Sequence, residues 1–176
     1  MNEPVLRAWA GILLAVPASR LFVMGVTCDL IEERIHRVFA ERGVAAERVE
    51  ILGRLPIETY LAAFSNVDIA LDTFPYNGAT TTCDALLMGV PVVTVAGSRT
   101  IARGGVSLLT TAALTDWIAP TPDTLIDTVC MQLHDAQRLA DLRRDLPQRM
   151  RTSALMDGAA FAKNVEAAFE QAWRRP

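Results

Sequence analysis

Leu71-Asp-Thr-Phe-Pro-Tyr-Asn-Gly-Ala-Thr-Thr-Thr-Cys-Asp-Ala-Leu-Leu-Met-Gly-Val-Pro-Val-Val-Thr-Val95 runs strand, turn, threonine-rich helix start, helix, Gly-x-Pro, strand. The flanking strands, Asp68-Ile-Ala-Leu-Asp72 and Pro91 to Val95, are short and apolar on both faces, the pattern of strands buried in a parallel sheet. The same alternation continues outward. Arg20 to Gly25 and Arg48 to Leu52 read as buried strands. Pro4 to Val16, Leu30 to Arg42, Ile57 to Phe64 and the stretch from Thr80 to about Met88 read as helices. Pro4 suits a first-turn position, Ile31, Ile35, Val38 and Phe39 share one face, and Gly43 is a stop signal. Short apolar strands alternating with helices are βαβ units, so the expected fold is an α/β, open parallel sheet with helices on both faces. After Ala102 the pattern becomes helical: Gly105 to Ala113, Pro122 to Leu133, Asp135 to Met150 and Gly158 to Trp173, broken by a short strand at Trp117-Ile-Ala. This helical C-terminal tail is expected to pack onto the sheet or against a neighbouring domain.

Composition bounds the function. The chain has 176 residues, 51% apolar and 21% charged, with a net charge of −3. A chain this long buries roughly two thirds of the surface that its unfolded form exposes, so one globular domain, 1–176, is expected, and disorder is excluded. No linker composition or internal repeat divides it. Its longest apolar stretches, Ala8 to Val16 and Val90 to Gly97, fall well short of the roughly 20 residues that a spanning helix needs, so no membrane association is expected. Arginines are spread along the chain and balanced by 20 acids, which leaves no basic face for nucleic acid. Three cysteines (Cys28, Cys83, Cys130) make neither a disulfide framework nor a zinc site, and a cytoplasmic location is the expectation.

Ligands of open parallel sheets bind at the carboxyl ends of the strands, where helix N-termini converge. Asn77-Gly78 would give the tight turn there, and Thr80, Thr81 and Thr82 would begin the helix, offering amides and hydroxyls to a pyrophosphate without a lysine. Asp84 would accept from sugar hydroxyls. Spacing alone leaves an alternative open: threonine is a common N-cap, and an acid in a first turn favours the helix dipole. Cys83 reads either as a thiol activated at the helix start or, with more weight, as a small packed residue. His36 and His134 have no partner cluster and read as surface or capping residues. The Arg143 to Arg151 segment reads as a solvated helix face.

The run from Asp68 to Val93 resembles the nucleotide-sugar site of the O-linked N-acetylglucosamine transferase family, including its bacterial and SPINDLY-like members. Ala15-Val-Pro-Ala-Ser-Arg-Leu21, Ile51-Leu-Gly-Arg-Leu55 with Pro56, Ser107-Leu-Leu109, Leu142-Arg-Arg-Asp-Leu146 and Arg149-Met-Arg-Thr-Ser153 resemble family segments in the same order, so the likeness covers nearly the whole chain. It implies the carboxyl-terminal, Rossmann-like half of a GT-B fold, the lobe that holds the UDP moiety of a UDP-sugar donor, with UDP-N-acetylglucosamine as the expected substrate and no separate cofactor or metal. Thr80 and Thr81 match the family's phosphate-contacting threonines, and Asp84 matches the acid that holds the ribose. Arg99 and Arg103 flank Ile101-Ala102 where the family has a Ser-Arg pair near the donor, so Arg103 is either a donor-phosphate contact or a solvated loop arginine. The departures are Ala79, where the animal enzymes carry histidine, and Ile57, Tyr60 and Ala63, where they carry lysine, histidine and arginine beside the uracil. Tyr60 still offers an aromatic edge to the base.

The family's phosphate-binding lysine precedes the Pro4 helix, so the chain is expected to be a fragment or a truncated gene product. A protein acceptor would then be held by an N-terminal lobe or repeat array outside it. In an inverting transferase, N–H groups and cations stabilise the departing UDP while a base or proton path serves the acceptor, and this chain would carry only half of those parts. Alone it is expected to be inactive. Two other readings are a degenerate lobe acting as a binding or interaction module, favoured by Ile57, Ala63 and Ala79, and another GT-B enzyme such as a UDP-sugar epimerase.

Overall fold

The computed structural model describes residues 2–174. Helix α1 (Glu3–Ala15) begins where the Asn2 side chain accepts from the Val5 amide, with Pro4 in the first turn. Its apolar stripe, Val5, Leu6, Trp9, Ile12 and Leu13, is buried. The last turn contains no basic residue. Instead Arg48, distant in sequence, donates to the carbonyls of Leu13 (2.7 Å) and Val16 (2.9 Å), acceptors that the helix C-terminus leaves free, and to that of Ser19 (2.9 Å) in the loop beyond. The expected elements follow: β1 (Leu21–Met24), α2 (Asp29–Glu41), β2 (Val49–Leu52), α3 (Ile57–Ala63), β3 (Ala70–Leu71), α4 (Thr80–Leu87), β4 (Val92–Val95), α5 (Gly104–Thr111), β5 (Ile118–Ala119), α6 (Leu125–Leu133), α7 (Ala136–Arg151) and α8 (Gly158–Trp173).

Every strand pair is parallel, as the βαβ reading requires. In β1 and β2, Leu21 lies opposite Val49 and Met24 opposite Leu52. In the second ladder β4 is central, with Ala70 of β3 opposite Val92 and Ile118 of β5 opposite Thr94. The strands form two sheets, β1-β2 and β3-β4-β5. The four central strands were expected in one. Helix α1 joins the halves: it packs on α2 and on α6, and α6 packs on β4 and β5. At its start Asn2 Nδ2 donates to the Phe74 carbonyl, 2.7 Å away, just beyond β3. Strand β4, flanked on both sides, is buried at all four positions, whereas β3, equally apolar but paired on one side, is half-buried and only two residues long.

One core cluster draws on nearly every element, from Leu6, Trp9, Ile35 and Phe39 to Leu86, Val93, Leu109, Trp117, Leu125, Leu146 and Met150. Within α2, Ile35, Val38 and Phe39 are buried as the periodicity predicts. Ile31, expected on the same face, is exposed along with the rest of the first turn of α2. Helix α7 packs on α4. Gly89 makes the close approach possible: it sits at φ +78°, and a Cβ there would stand 2.6 Å from the Arg143 carbonyl oxygen. The arginine-rich face of α7 is solvated except at Arg143, which is pinned to Asp68 at 2.8 Å. Helix α8 does not pack onto the sheet as one of the two expected arrangements had it. It buries no residue, and Phe161, Phe169 and Trp173 are exposed. Among the described residues no helix is long and apolar enough to cross a membrane.

Candidate functional site

The site is built where β3 ends. Asp72, the first residue past β3, is buried without a cation among its partners. Its Oδ1 accepts from the amides of Thr73 (2.8 Å) and Gly78 (2.7 Å), and its Oδ2 accepts from the Thr94 hydroxyl on β4 (2.7 Å). Burial pushes its carboxyl above the ordinary carboxylate range, opposed by these three hydrogen bonds. Asn77 is equally enclosed. Its Nδ2 donates to the Thr73 carbonyl (2.9 Å), its Oδ1 accepts from the Gly105 amide (3.3 Å), and its own amide donates to Ile101 (3.3 Å). With both amide atoms engaged, Asn77 shapes the turn from within. Gly78 follows in space too tight for a side chain: a Cβ there would lie 2.7 Å from Thr81 Oγ1 and 3.1 Å from Thr82 Oγ1.

Helix α4 then starts uncapped. Ala79 at the N-cap has no side-chain oxygen to offer, and the first helical bond is Cys83 N–H to the Ala79 carbonyl. The amides of Thr80, Thr81 and Thr82 therefore find no acceptor among the described residues. Thr82 turns inward and donates to the Gly78 carbonyl (3.2 Å), while Thr80 and Thr81 are exposed with hydroxyls that make no hydrogen bond among the described residues. Free amides, two free hydroxyls and the positive end of a helix dipole on one surface are the chemistry that receives a phosphate group.

One turn further along, Asp84 meets α3. The Tyr60 hydroxyl donates to Asp84 Oδ2 at 3.1 Å, and the Tyr60 ring stands edge-on to Phe64, with centroids 5.2 Å apart. Burial first, then the bond to Asp84 and its charge, push the Tyr60 phenol up to about 12. Cys83, partly buried beside the same charge, is pushed up as well, mainly by burial, the direction that favours the packed thiol over the activated one. Ile57, on the same helix as Tyr60, is 64% exposed.

The start of α5 abuts the turn through Gly105. Arg103 stands at its N-cap, exposed, with its guanidinium donating to the Gly97 carbonyl (3.2 Å). The fold therefore gathers Tyr60, Asn77, Gly78, Thr80, Thr81 and Asp84 around the carboxyl end of β3, and the Asn77–Gly105 bond brings the α5 start, with Arg103, to the same edge. Asp72, Thr94 and Gly105 are what sequence reasoning missed. Their signal was present: an acid at the end of an otherwise apolar strand has to be satisfied by something nearby. Among the described residues no group of three or more histidine, cysteine or acidic side chains is placed to hold a metal ion.

Likeness to known proteins runs along nearly the whole chain. Residues 1–165 match Glycosyl transferase family 41. The probable UDP-N-acetylglucosamine--peptide N-acetylglucosaminyltransferase SPINDLY of Solanum lycopersicum is 40% identical over 99% of this chain, and that of Arabidopsis thaliana 39%, but the chain spans only 19% and 20% of their lengths. The UDP-N-acetylglucosamine--peptide N-acetylglucosaminyltransferase of Caenorhabditis elegans is 28% identical over 99% of the chain, which spans 15% of it. A solved variant of Thermobaculum terrenum O-GlcNAc transferase superposes with a TM-score of 0.91 at 38% identity, covering 99% of this chain and 34% of that one. The parallel strands and their helices are thus the Rossmann-like half of a GT-B fold, and this chain belongs to glycosyl transferase family 41.

Proposed function

We propose that this chain is the donor-nucleotide lobe of a UDP-sugar-dependent protein glycosyltransferase, with UDP-N-acetylglucosamine as its donor substrate. The observation that carries the reading is the uncapped start of α4: three amides without acceptors, the exposed Thr80 and Thr81 hydroxyls, and Asp84 one turn away. In this reading the diphosphate sits against the helix start, where amides and dipole offset the charge that grows on UDP as the glycosidic bond to it breaks. Asp84 accepts from the ribose hydroxyls through the oxygen that Tyr60 leaves free. The Tyr60 ring offers its edge to the base, and Arg103 adds a cation from the α5 side. The names of the relatives support both the donor and a peptide acceptor. The acceptor would be oriented by a further lobe or repeat array, and much of a transferase's rate comes from holding two substrates in register. Alone, the chain is expected to transfer no sugar. Three free cysteines support a reducing, cytoplasmic setting.

A second reading, an interaction module with a degenerate site, is favoured by the surroundings of the base position, where α3 carries Glu58 as its only charged residue and Ile57 is exposed. Nuclear magnetic resonance titration with UDP separates the two. The donor-lobe reading expects shifts clustered from Asn77 to Asp84 with an affinity of about millimolar, as a helix terminus with few cations implies. No shift at several millimolar UDP would put the interaction module ahead.

A further inference from the structure

Asp72 is an anomaly in this site. A carboxylate 7% exposed, with no cation among its partners, is costly to desolvate. Yet its contacts brace the turn that leads into the proposed diphosphate position. Through Oδ1 it holds the amides at both ends of the turn, Thr73 and Gly78. Through Oδ2 it holds Thr94 on the neighbouring strand and lies against the α5 start, where a Cβ on Gly105 would stand 2.7 Å from it. Gly78 in turn accepts from the Thr82 hydroxyl at its carbonyl, and a Cβ there would run into the Thr81 and Thr82 hydroxyls. Two hydrogen bonds therefore run from the buried carboxylate through Gly78 to Thr82, next in sequence to the exposed Thr81. Asn77 closes the circuit by bonding Thr73 on one side and Gly105 on the other, which ties the starts of α4 and α5 together.

We infer that Asp72 is a positioning residue: it sets Gly78, and through Gly78 the Thr80-Thr81 start of α4, in the geometry that receives the diphosphate. The inference rests on the donor-lobe reading above. Asp72 touches no ligand in this scheme. Its work is to fix a turn whose backbone would otherwise have several conformations open to it, so that ordering the phosphate site is complete before the nucleotide arrives. The role is geometric, and asparagine can take it over. Its Oδ1 would accept from Thr73 and Gly78 as before, and its Nδ2 would face Thr94, whose hydroxyl can accept as well as donate.

The test titrates the isotope-labelled chain with UDP for the unsubstituted protein, Asp72→Asn and Asp72→Ala, and follows thermal unfolding in parallel. Asp72→Ala is expected to weaken UDP binding about tenfold or more in the folded protein, and Asp72→Asn to restore it to within about threefold, which a merely structural loss of stability would not do. If Asp72→Ala does not fold, Asn77→Ala takes its place with the same expectation, since both amide atoms of Asn77 are engaged inside the turn. Unchanged UDP binding in a folded Asp72→Ala, or an equal loss in Asp72→Asn, overturns the positioning role and leaves the donor-lobe reading standing. No UDP shifts in the unsubstituted chain overturn both.

Discussion

The Tyr60 phenol and the Asp84 carboxylate, 24 residues apart, are joined by a 3.1 Å hydrogen bond that ties α3 to the first turns of α4. The bond uses Asp84 Oδ2, so Oδ1 is left to a ligand and the carboxylate is held in one orientation. Replacing Tyr60 by phenylalanine removes the donor and keeps the ring against Phe64. UDP affinity is expected to fall about fivefold, the equivalent of one ordinary hydrogen bond of about 1 kcal/mol. Calorimetry showing equal or tighter binding would reject the orienting role of Tyr60.

The same pair has an alkaline signature. The Tyr60 phenol is raised from 10.0 to about 12 in the folded chain, so its protonated form is favoured by folding. The stability it contributes is fully present below pH 10 and is lost as the pH rises from 10 to about 12. Ultraviolet titration of the unsubstituted chain minus Tyr60→Phe should show a phenol midpoint near 12. In Asp84→Asn, which removes the charge but keeps an acceptor, the midpoint should move towards 10.

Asp72 has the opposite working range. Its carboxyl is also raised, by burial, so folding favours the protonated form and the associated stability is present below the ordinary carboxylate range and lost as the pH rises through the raised value. Asp72→Asn is free of this penalty. Urea unfolding at pH 7 and near pH 4 should show the unsubstituted chain gaining on Asp72→Asn at the lower pH. A gap that stays constant or widens on acidification would contradict the direction assigned to Asp72.

At Gly89 two constraints coincide, a positive φ and the Arg143 carbonyl 2.6 Å from where a Cβ would stand. Gly89→Ala combines left-handed backbone strain of about 1–2 kcal/mol with forced separation of α4 and α7. A loss of about 2 kcal/mol or more in urea unfolding is expected. A loss under about 0.5 kcal/mol would show that α7 moves aside freely.

Helix α8 buries nothing in this chain, and its Phe161, Phe169 and Trp173 lie open. Ending the chain at Asp157 should therefore shift the thermal midpoint by no more than a few degrees while lowering the binding of a hydrophobic dye. A large drop in the midpoint would mean that α8 packs on the body in solution.

Apolar period, glycine stops and strand length are local properties, and among the described residues they placed the α-helices and the strands within a few residues of where they lie. Gly43, expected to end α2, stands at φ +80° just beyond it. Parallel pairing was legible for the same reason, since each short strand is followed by a helix that must return the chain. The Asn77 to Asp84 segment stood out as a candidate site because turn, threonine-rich helix start and acid are contiguous in sequence. Burial and partnership are decided by what arrives from elsewhere, and these needed the tertiary structure. Period alone put Ile31 on the buried face of α2, but nothing covers that turn. Sequence alone gave two apolar-faced helices, α6 and α8, the same standing, yet α6 is roofed by α1 while α8 buries no residue. The departures from the family's charged residues drew attention to Tyr60, but its bond to Asp84 depends on how α3 and α4 cross. Asp72 looked like the end of a strand. Only when Thr94, Gly78 and Gly105 converge on it does a costly buried carboxylate become the keystone of the turn, because hydrogen-bond satisfaction is a property of three-dimensional neighbours and leaves no period in the chain.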